Sequence, residues 1–233
     1  RSNSPTTVDK WLKRETPHKQ KALENASRHF DDNDRLDVHV LESIYGQESS
    51  LGTTRRKRNA SGAAGDFQLE KKTALRLGLS VSKDNDQRFD VDDASAAAAK
   101  YLKGLDDFFR TKTDLGDDET IPVRDSDERV KFTLAAYNAG EGRIAKAQAL
   151  AKSSGKNPET WDDVKEFLKA AGASPAKVKE IIQYVELILK YMKEFAAKSK
   201  ASRRSKDGAP LKSTDSIRGG HWITKDGRHI LIG

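Results

Sequence analysis

Two predicted helices meet in the segment Leu134-Ala135-Ala136-Tyr137-Asn138-Ala139-Gly140-Glu141-Gly142-Arg143. We expect the first helix to run from Arg129 to Tyr137 and the second from Glu141 to Ala151. Tyr137 and Asn138 therefore stand at a helix end. A Tyr-Asn pair in that place can serve for packing and capping alone, or it can line a site, and the rest of the chain has to decide between the two.

Helical periodicity extends to both sides of this segment. The other predicted helices are Val8 to Arg28 with an interruption at Pro17, Leu36 to Tyr45, a segment through Thr73, Ala74 and Leu77 that ends at Gly78, Asp92 to Thr111, Pro158 to Ala171 and Pro175 to Lys198. The acidic stretch Leu115 to Glu128 is expected to be a loop. His221 to Thr224 and Arg228 to Ile232 predict two strands joined by a turn. The fold class is therefore mainly α, with a C-terminal β-hairpin.

We expect four parts along the chain. Residues 1–30 form an N-terminal helical arm, residues 31–198 one catalytic domain, residues 199–218 a basic flexible linker, and residues 219–233 the hairpin. The linker is rich in Lys, Arg, Ser, Gly and Pro and lacks periodic apolar residues. Because a lone hairpin is only marginally stable in water, we expect this one to contact a parent protein or an assembly.

Composition narrows the classes of partner. The net charge of +7 over 233 residues suits a polyanion such as a nucleic acid, an anionic membrane surface or a cell-wall polymer. A nucleic acid is disfavoured, since no aromatic residue interleaves with the basic loop Arg55 to Arg58. No apolar run approaches the roughly 20 residues that span a bilayer. With no cysteine and five scattered histidines, we expect no disulfide and no metal site.

A carboxyl group with catalytic potential follows the predicted helix Leu36 to Tyr45. Glu48 comes after the apolar stripe Val40, Ile44 and Tyr45 and before a polar turn. Desolvation disfavours the charged form of a carboxyl group, so such a setting suits a proton donor to the leaving oxygen of a glycosidic bond. Taken alone, a glutamate at a helix end is more often a solvated surface residue.

Five segments in order resemble the soluble lytic transglycosylases of the lysozyme-like superfamily. Gln47 to Leu51 is similar to their Q-E-S-x-F segment, and Leu134 to Arg143 matches their A-x-Y-N-A-G-x-G-R segment nearly letter for letter. The other three are Ser61 to Leu69, similar to a glycine-rich block, Asp93 to Leu105, similar to a helix ending in A-x-Y-L, and Glu180 to Val185, which keeps an E-x-x-x-Y-V frame. The resemblance implies a lysozyme-like α-helical domain that cleaves peptidoglycan strands.

In that family one glutamate is both acid and base, which implies this role for Glu48. It would protonate the oxygen of the β-1,4 bond between N-acetylmuramic acid and N-acetylglucosamine. It would then accept the proton of the muramoyl C6 hydroxyl, which closes a 1,6-anhydro ring. The substrate's N-acetyl group shields the anomeric carbon, so the resemblance implies no second catalytic carboxylate and no cofactor.

The resemblance also implies substrate-binding residues. Tyr137 matches a tyrosine that hydrogen-bonds near the catalytic glutamate, and Asn138 matches a residue that shapes the floor of the same active site. Gln68 matches a residue of the sugar subsites, where its amide suits N-acetyl groups, and Phe67 is assigned to the same subsites.

Two further positions of the resemblance keep two interpretations each. Ser49 either orients Glu48 or caps a turn. Tyr184, on an apolar helix with Val185 and Ile188, either reaches the site or belongs to the core. Residues Arg55 to Arg58 are expected to hold stem-peptide carboxylates, or to form a solvated loop or a processing site.

Two departures from the family pattern keep other functions open. Asp66 stands where the family has an apolar residue, and Glu70 replaces the residue before a proline that is missing here. Goose-type lysozymes carry an aspartate in a similar place, linked with positioning water. A hydrolase of the same bond that uses Glu70 or Asp66 is therefore an alternative. The second alternative is a catalytically weak, peptidoglycan-binding structural protein.

The resemblance places the protein in the cell envelope. We expect a periplasmic or exported protein whose export signal is absent from this chain, and virion association is an alternative setting.

Overall fold

Helices carry most of the structure, which is a computed structural model. It describes residues 4–32, 34–54 and 62–202, and the backbone of residues 221–225 and 228–232. The helices are α1 (Thr7–Leu12), α2 (Pro17–Ala26), α3 (Val38–Ser49), α4 (Lys71–Arg76), α5 (Val91–Arg110), α6 (Ser126–Ala139), α7 (Glu141–Ser153), α8 (Trp161–Val164) and α9 (Pro175–Lys198). The prediction of a mainly α fold is confirmed. Over these described ranges, no helix has both the length and the apolar character to cross a membrane.

The chain divides into two units. The first comprises Arg1–Lys100 and Ile188–Ser216, and the second comprises Tyr101–Leu187 and Ile217–Gly233. The boundaries fall within α5 and α9. Glu48 therefore belongs to the first unit, whereas the Tyr-Asn pair at the end of α6 belongs to the second.

The first two helices begin at polar caps. Thr6 caps α1 by accepting a hydrogen bond from Asp9 N at 3.1 Å, and Thr16 caps α2 by accepting one from Lys19 N at 3.2 Å. Pro17 is the first residue of α2, where its fixed φ and missing N–H are favourable. The proline predicted to interrupt one helix thus starts a second one.

Trp11 anchors α1 inside the first unit. Its side chain is buried, and its ring centroid lies 4.9 Å from that of Tyr191 and 6.2 Å from that of Phe195. A Cβ atom on Gly46 of α3 would lie 2.4 Å from the Trp11 ring, so the ring packs directly on the backbone of α3. Residues of the predicted N-terminal arm therefore contribute to the core of this unit.

A short antiparallel pair follows α3. Strands β1 (Ala63–Ala64) and β2 (Leu69–Glu70) pair in the register Ala63 with Glu70 and Ala64 with Leu69. The four residues between them, Gly65 to Gln68, form a tight loop.

The second unit is built around α6 and α7. Phe132 of α6 packs against Phe109 and Trp161, with ring centroids 5.7 and 5.8 Å away. The buried pair Arg129 and Asp106 joins α6 to α5 through a hydrogen bond of 2.9 Å. A buried charge needs such a partner, because desolvation is costly.

The predicted helix Pro158 to Ala171 is wrong over its first turn and again after Phe167, where residues 168–171 form turns. Helix α8 begins only at Trp161 and is followed by a single 3₁₀ turn, Lys165–Phe167. The Asn157 side chain accepts a hydrogen bond from Glu159 N at 2.9 Å, which holds this stretch in a turn instead of a helix.

Two strands lie near the C-terminus. Strands β3 (His221–Lys225) and β4 (Arg228–Ile232) are antiparallel, with Trp222 opposite Leu231. Two predicted features, the basic loop Arg55 to Arg58 and residues 203–218 of the linker, lie outside the described residues.

Candidate active site

Glu48 lies in the last turn of α3. Its side chain is half-buried, while Tyr45 and Ser49 on either side are fully buried. The helix ends abruptly, because Ser50 and Leu51 adopt left-handed conformations with φ of 50° and 60°. Such conformations are costly for residues other than glycine and persist only where surrounding contacts hold them. The chain therefore reverses within two residues of Glu48.

Ser49 fastens this reversal to the loop between β1 and β2. Its hydroxyl donates a hydrogen bond to the main-chain oxygen of Asp66 at 2.7 Å and accepts one from Gly52 N at 3.0 Å. Both contacts are buried or nearly so. Ser49 thus caps the turn after α3, one of its two predicted roles, and its effect on Glu48 stays a prediction.

The loop Gly65 to Gln68 has little freedom. Gly65 has φ of +80°, and a Cβ there would lie 1.9 Å from the main-chain oxygen of Arg88. Gln68 also has a left-handed φ of 50°, and its side-chain amide donates to Gly65 O at 2.9 Å. Phe67 is 1% exposed and stacks on Tyr45 with ring centroids 5.0 Å apart. Phe67 therefore has a packing role here, and a sugar contact of its ring stays a prediction.

A buried arginine contacts β2 and the residue just before β1. The Arg88 guanidinium makes a two-pronged ion pair with Asp86, at 2.9 and 2.8 Å. It also donates to the main-chain oxygens of Gly62 at 2.6 Å and Leu69 at 3.0 Å. The sequence did not predict a role for Arg88 or Asp86, because neither lies in a segment that resembles the family. Arg88 also acts on main-chain oxygens that are distant in sequence.

In the second unit, Tyr137 and Asn138 end α6. The Tyr137 ring lies 5.4 Å from that of Tyr101, so this unit brings together the tyrosines of two predicted motifs. Lys177 near the start of α9 donates to the main-chain oxygen of Asn138 at 3.3 Å. Tyr184 of α9 is 5% exposed, which suits the core interpretation better than the site one.

A second set of carboxyl groups lies inside the first unit. Burial, and then a hydrogen bond that the protonated Glu15 donates to Glu42, raise the pKa of Glu15 from 4.5 to about 9. Burial raises the pKa of Glu42 to about 7, against the lowering effect of hydrogen bonds with Glu15 and Ser199. His39 Nδ1 lies 2.8 Å from Glu42 Oε1, and Ser199 Oγ donates to Glu42 Oε2 at 2.6 Å. These groups connect the turn after α1, helix α3 and the residue after α9.

This cluster predicts a fall in stability at alkaline pH. Between pH 4.5 and about 9 the folded chain binds a proton at Glu15 that the unfolded chain has lost, so unfolding becomes easier as pH rises. His29 acts in the opposite direction, because burial lowers its pKa to about 4. Above pH 6.5 His29 is largely neutral in both states, so the expected change comes from Glu15 and Glu42. We expect the free energy of unfolding to fall by on the order of 2 kcal/mol from pH 6.5 to 8.5.

Urea denaturation of the wild type and of Glu15→Gln at both pH values measures this effect. The glutamine in this variant is neutral and can still donate a hydrogen bond to Glu42. The free energy of unfolding of the variant is therefore expected to fall, between pH 6.5 and 8.5, by less than half as much as that of the wild type. Equal losses would contradict the protonation of Glu15 in the folded state.

Comparisons with known proteins bear most directly on residues 26–160. A family model described as the transglycosylase SLT domain matches residues 26–160. The chain is 32% identical over 165 residues to the membrane-bound lytic murein transglycosylase F of Salmonella arizonae and 31% identical over 165 residues to that of Cronobacter sakazakii. Each alignment covers 67% of this chain and 28% of the relative. The chain thus spans less than a third of the length of these relatives.

Proposed function

Because the chain belongs to the family of transglycosylase SLT domains, we propose that it is a peptidoglycan lytic transglycosylase with Glu48 as its acid and base. The placement of Glu48 carries the proposal. Its side chain is half-buried in a helix turn that a hydrogen bond from Ser49 connects to the neighbouring loop. A general acid needs such a fixed position and partial removal from water.

The reaction proceeds in two proton transfers. Glu48 first donates its proton to the glycosidic oxygen as the bond from that oxygen to the muramoyl anomeric carbon breaks. The Glu48 carboxylate then takes the proton of the muramoyl C6 hydroxyl, whose oxygen bonds to the same carbon. The 1,6-anhydro ring forms, the acid is regenerated and no water is consumed.

Asp66 and Glu70, the two carboxylates proposed for the hydrolase alternative, differ in their exposure to solvent. Asp66 is fully buried and accepts a hydrogen bond from the Tyr45 hydroxyl at 3.3 Å, so its carboxylate does not face solvent. Glu70 is exposed at the end of β2. If water is positioned by a second carboxylate, Glu70 is the better candidate.

Substrate binding is proposed first for Gln68. Gln68 is half-exposed with its amide nitrogen held by Gly65, an arrangement suited to offering its carbonyl oxygen to the N–H of an N-acetyl group. We also propose Tyr137 and Asn138 as substrate-binding residues. The substrate is the glycan strand of the bacterial envelope, and the catalytic domain is proposed to span residues 31–198.

Product analysis tests the proposal. We expect muropeptides released from purified peptidoglycan to carry 1,6-anhydro ends, because a sugar hydroxyl replaces water as the attacking group. Such products are lighter by one water than hydrolysis products and resist borohydride reduction, which mass spectrometry detects. Reducible ends would select the hydrolase, and they should then disappear in Glu70→Gln. Binding without soluble product would select the structural protein.

A further inference from the structure

Asp66 is a fully buried carboxyl group beside the turn that carries Glu48. It meets α3 in two places: its Oδ2 accepts from the Tyr45 hydroxyl at 3.3 Å, and its main-chain oxygen accepts from the Ser49 hydroxyl at 2.7 Å. Tyr45 precedes Glu48 by three residues and Ser49 follows it directly. The two contacts therefore bracket Glu48 on the same stretch of helix.

Gly52 leaves room for this arrangement. A Cβ there would lie 2.8 Å from the Tyr45 hydroxyl and 3.5 Å from Asp66 Oδ1. The Gly52 amide also donates to Ser49 Oγ. Three residues of the helix end and the reversal after it thus adjoin Asp66.

The other side of Asp66 is also held. Its amide donates to the main-chain oxygen of Arg88 at 3.0 Å, and Arg88 is fixed by Asp86. Asp66 therefore connects the end of α3 to the loop Gly65 to Gln68, which Arg88 holds in place. A buried carboxyl group is costly to keep, and an apolar side chain could fill the same space without that cost.

We propose that Asp66 is a positioning residue for the reaction: by holding Tyr45 and Ser49, it fixes the helix turn from which Glu48 reaches the glycosidic oxygen. The inference rests on the proposed function. It gives Asp66 no proton-transfer step and no contact with the sugar. Misplacement of an acid by about 1 Å can lower a rate by roughly 100-fold, so a positioning role is measurable.

Steady-state kinetics on soluble glycan strands test the proposal. Asp66→Leu is expected to lower kcat by roughly 30- to 100-fold with KM within about twofold, because the acid is displaced while the subsites persist. Asp66→Asn keeps an acceptor for the Tyr45 hydroxyl and should stay within about threefold of the wild-type kcat. Leu23→Ala, a buried truncation in α2, should lower Tm without lowering kcat.

Three results would overturn the proposal: a folded Asp66→Leu with wild-type kcat, a rise in KM alone, or an equal loss in Asp66→Asn. If Asp66→Leu does not fold, Tyr45→Phe removes only the hydroxyl, and its kcat should fall about tenfold at constant KM. An unchanged kcat there also overturns it.

An inactive wild type would contradict the proposed function instead. Hydrogen exchange of the Ser50 to Gly52 amides then tests the positioning directly. Faster exchange in Asp66→Leu or Tyr45→Phe than in Leu23→Ala supports it, and equal exchange overturns it.

Discussion

Replacement of Glu48 by glutamine is expected to lower kcat/KM on peptidoglycan by about 10³-fold or more while leaving the fold intact. Glutamine has the same shape but neither donates nor accepts the catalytic proton, and general acid-base catalysis contributes about 10²–10⁴-fold in each role. Because the Glu48 side chain is half-buried at a helix end, the change should alter the free energy of unfolding by only about 0.5 kcal/mol. Release of soluble muropeptides and thermal unfolding measure the two effects.

Glu166→Gln is the matched control. It makes the same chemical change on an exposed side chain of the second unit and should retain wild-type activity. A well-folded Glu48→Gln protein with wild-type turnover would remove Glu48 from the mechanism. A similar loss of activity in Glu166→Gln would show that the assay responds to removal of a negative charge and not to loss of proton transfer.

The second large effect is expected from Gly65→Ala. A Cβ at this position would lie 1.9 Å from the Arg88 main-chain oxygen, in a backbone conformation with φ of +80°. The loop from Asp66 to Gln68 must move away to relieve this contact. We expect a loss of about 3 kcal/mol or more in the free energy of unfolding, and a fall in kcat because the support of Ser49 is displaced.

Gly62→Ala separates the contact from the backbone conformation. Gly62 has nearly the same φ, +79°, and a Cβ there meets no described atom within 4 Å. This substitution should lower the free energy of unfolding by only about 1–2 kcal/mol, because alanine disfavours the left-handed backbone conformation. Equal costs in the two variants, measured by urea denaturation, would mean that the close approach to Arg88 is not constraining.

The long helices could be predicted because their signal is local. Helix α9 was predicted with its observed bounds, and α5 within one residue at each end. Both carry apolar residues at regular helical spacing over many turns. The short α8 differs because the Asn157 side chain competes for the backbone, and that competition leaves no periodic trace.

The supports of the candidate site could not be predicted in the same way. Glu48 and Gln68 lie in motifs that can be recognised in the sequence. The hydrogen bonds of Arg88, in contrast, reach main-chain oxygens 19 and 26 residues away. The packing of Trp11 on Gly46 likewise joins two helices that share no sequence pattern. These contacts are set by tertiary packing, where a glycine or a lone arginine has no distinctive local context.

The central claim is that Glu48 transfers the proton and that a sugar hydroxyl, not water, completes the reaction. Digestion of purified peptidoglycan in water enriched in the heavy oxygen isotope tests both parts at once by mass spectrometry. The wild type should release anhydro-ended muropeptides without the label, and Glu48→Gln should release almost none. Labelled reducing ends from the wild type, or undiminished release by Glu48→Gln, would contradict it.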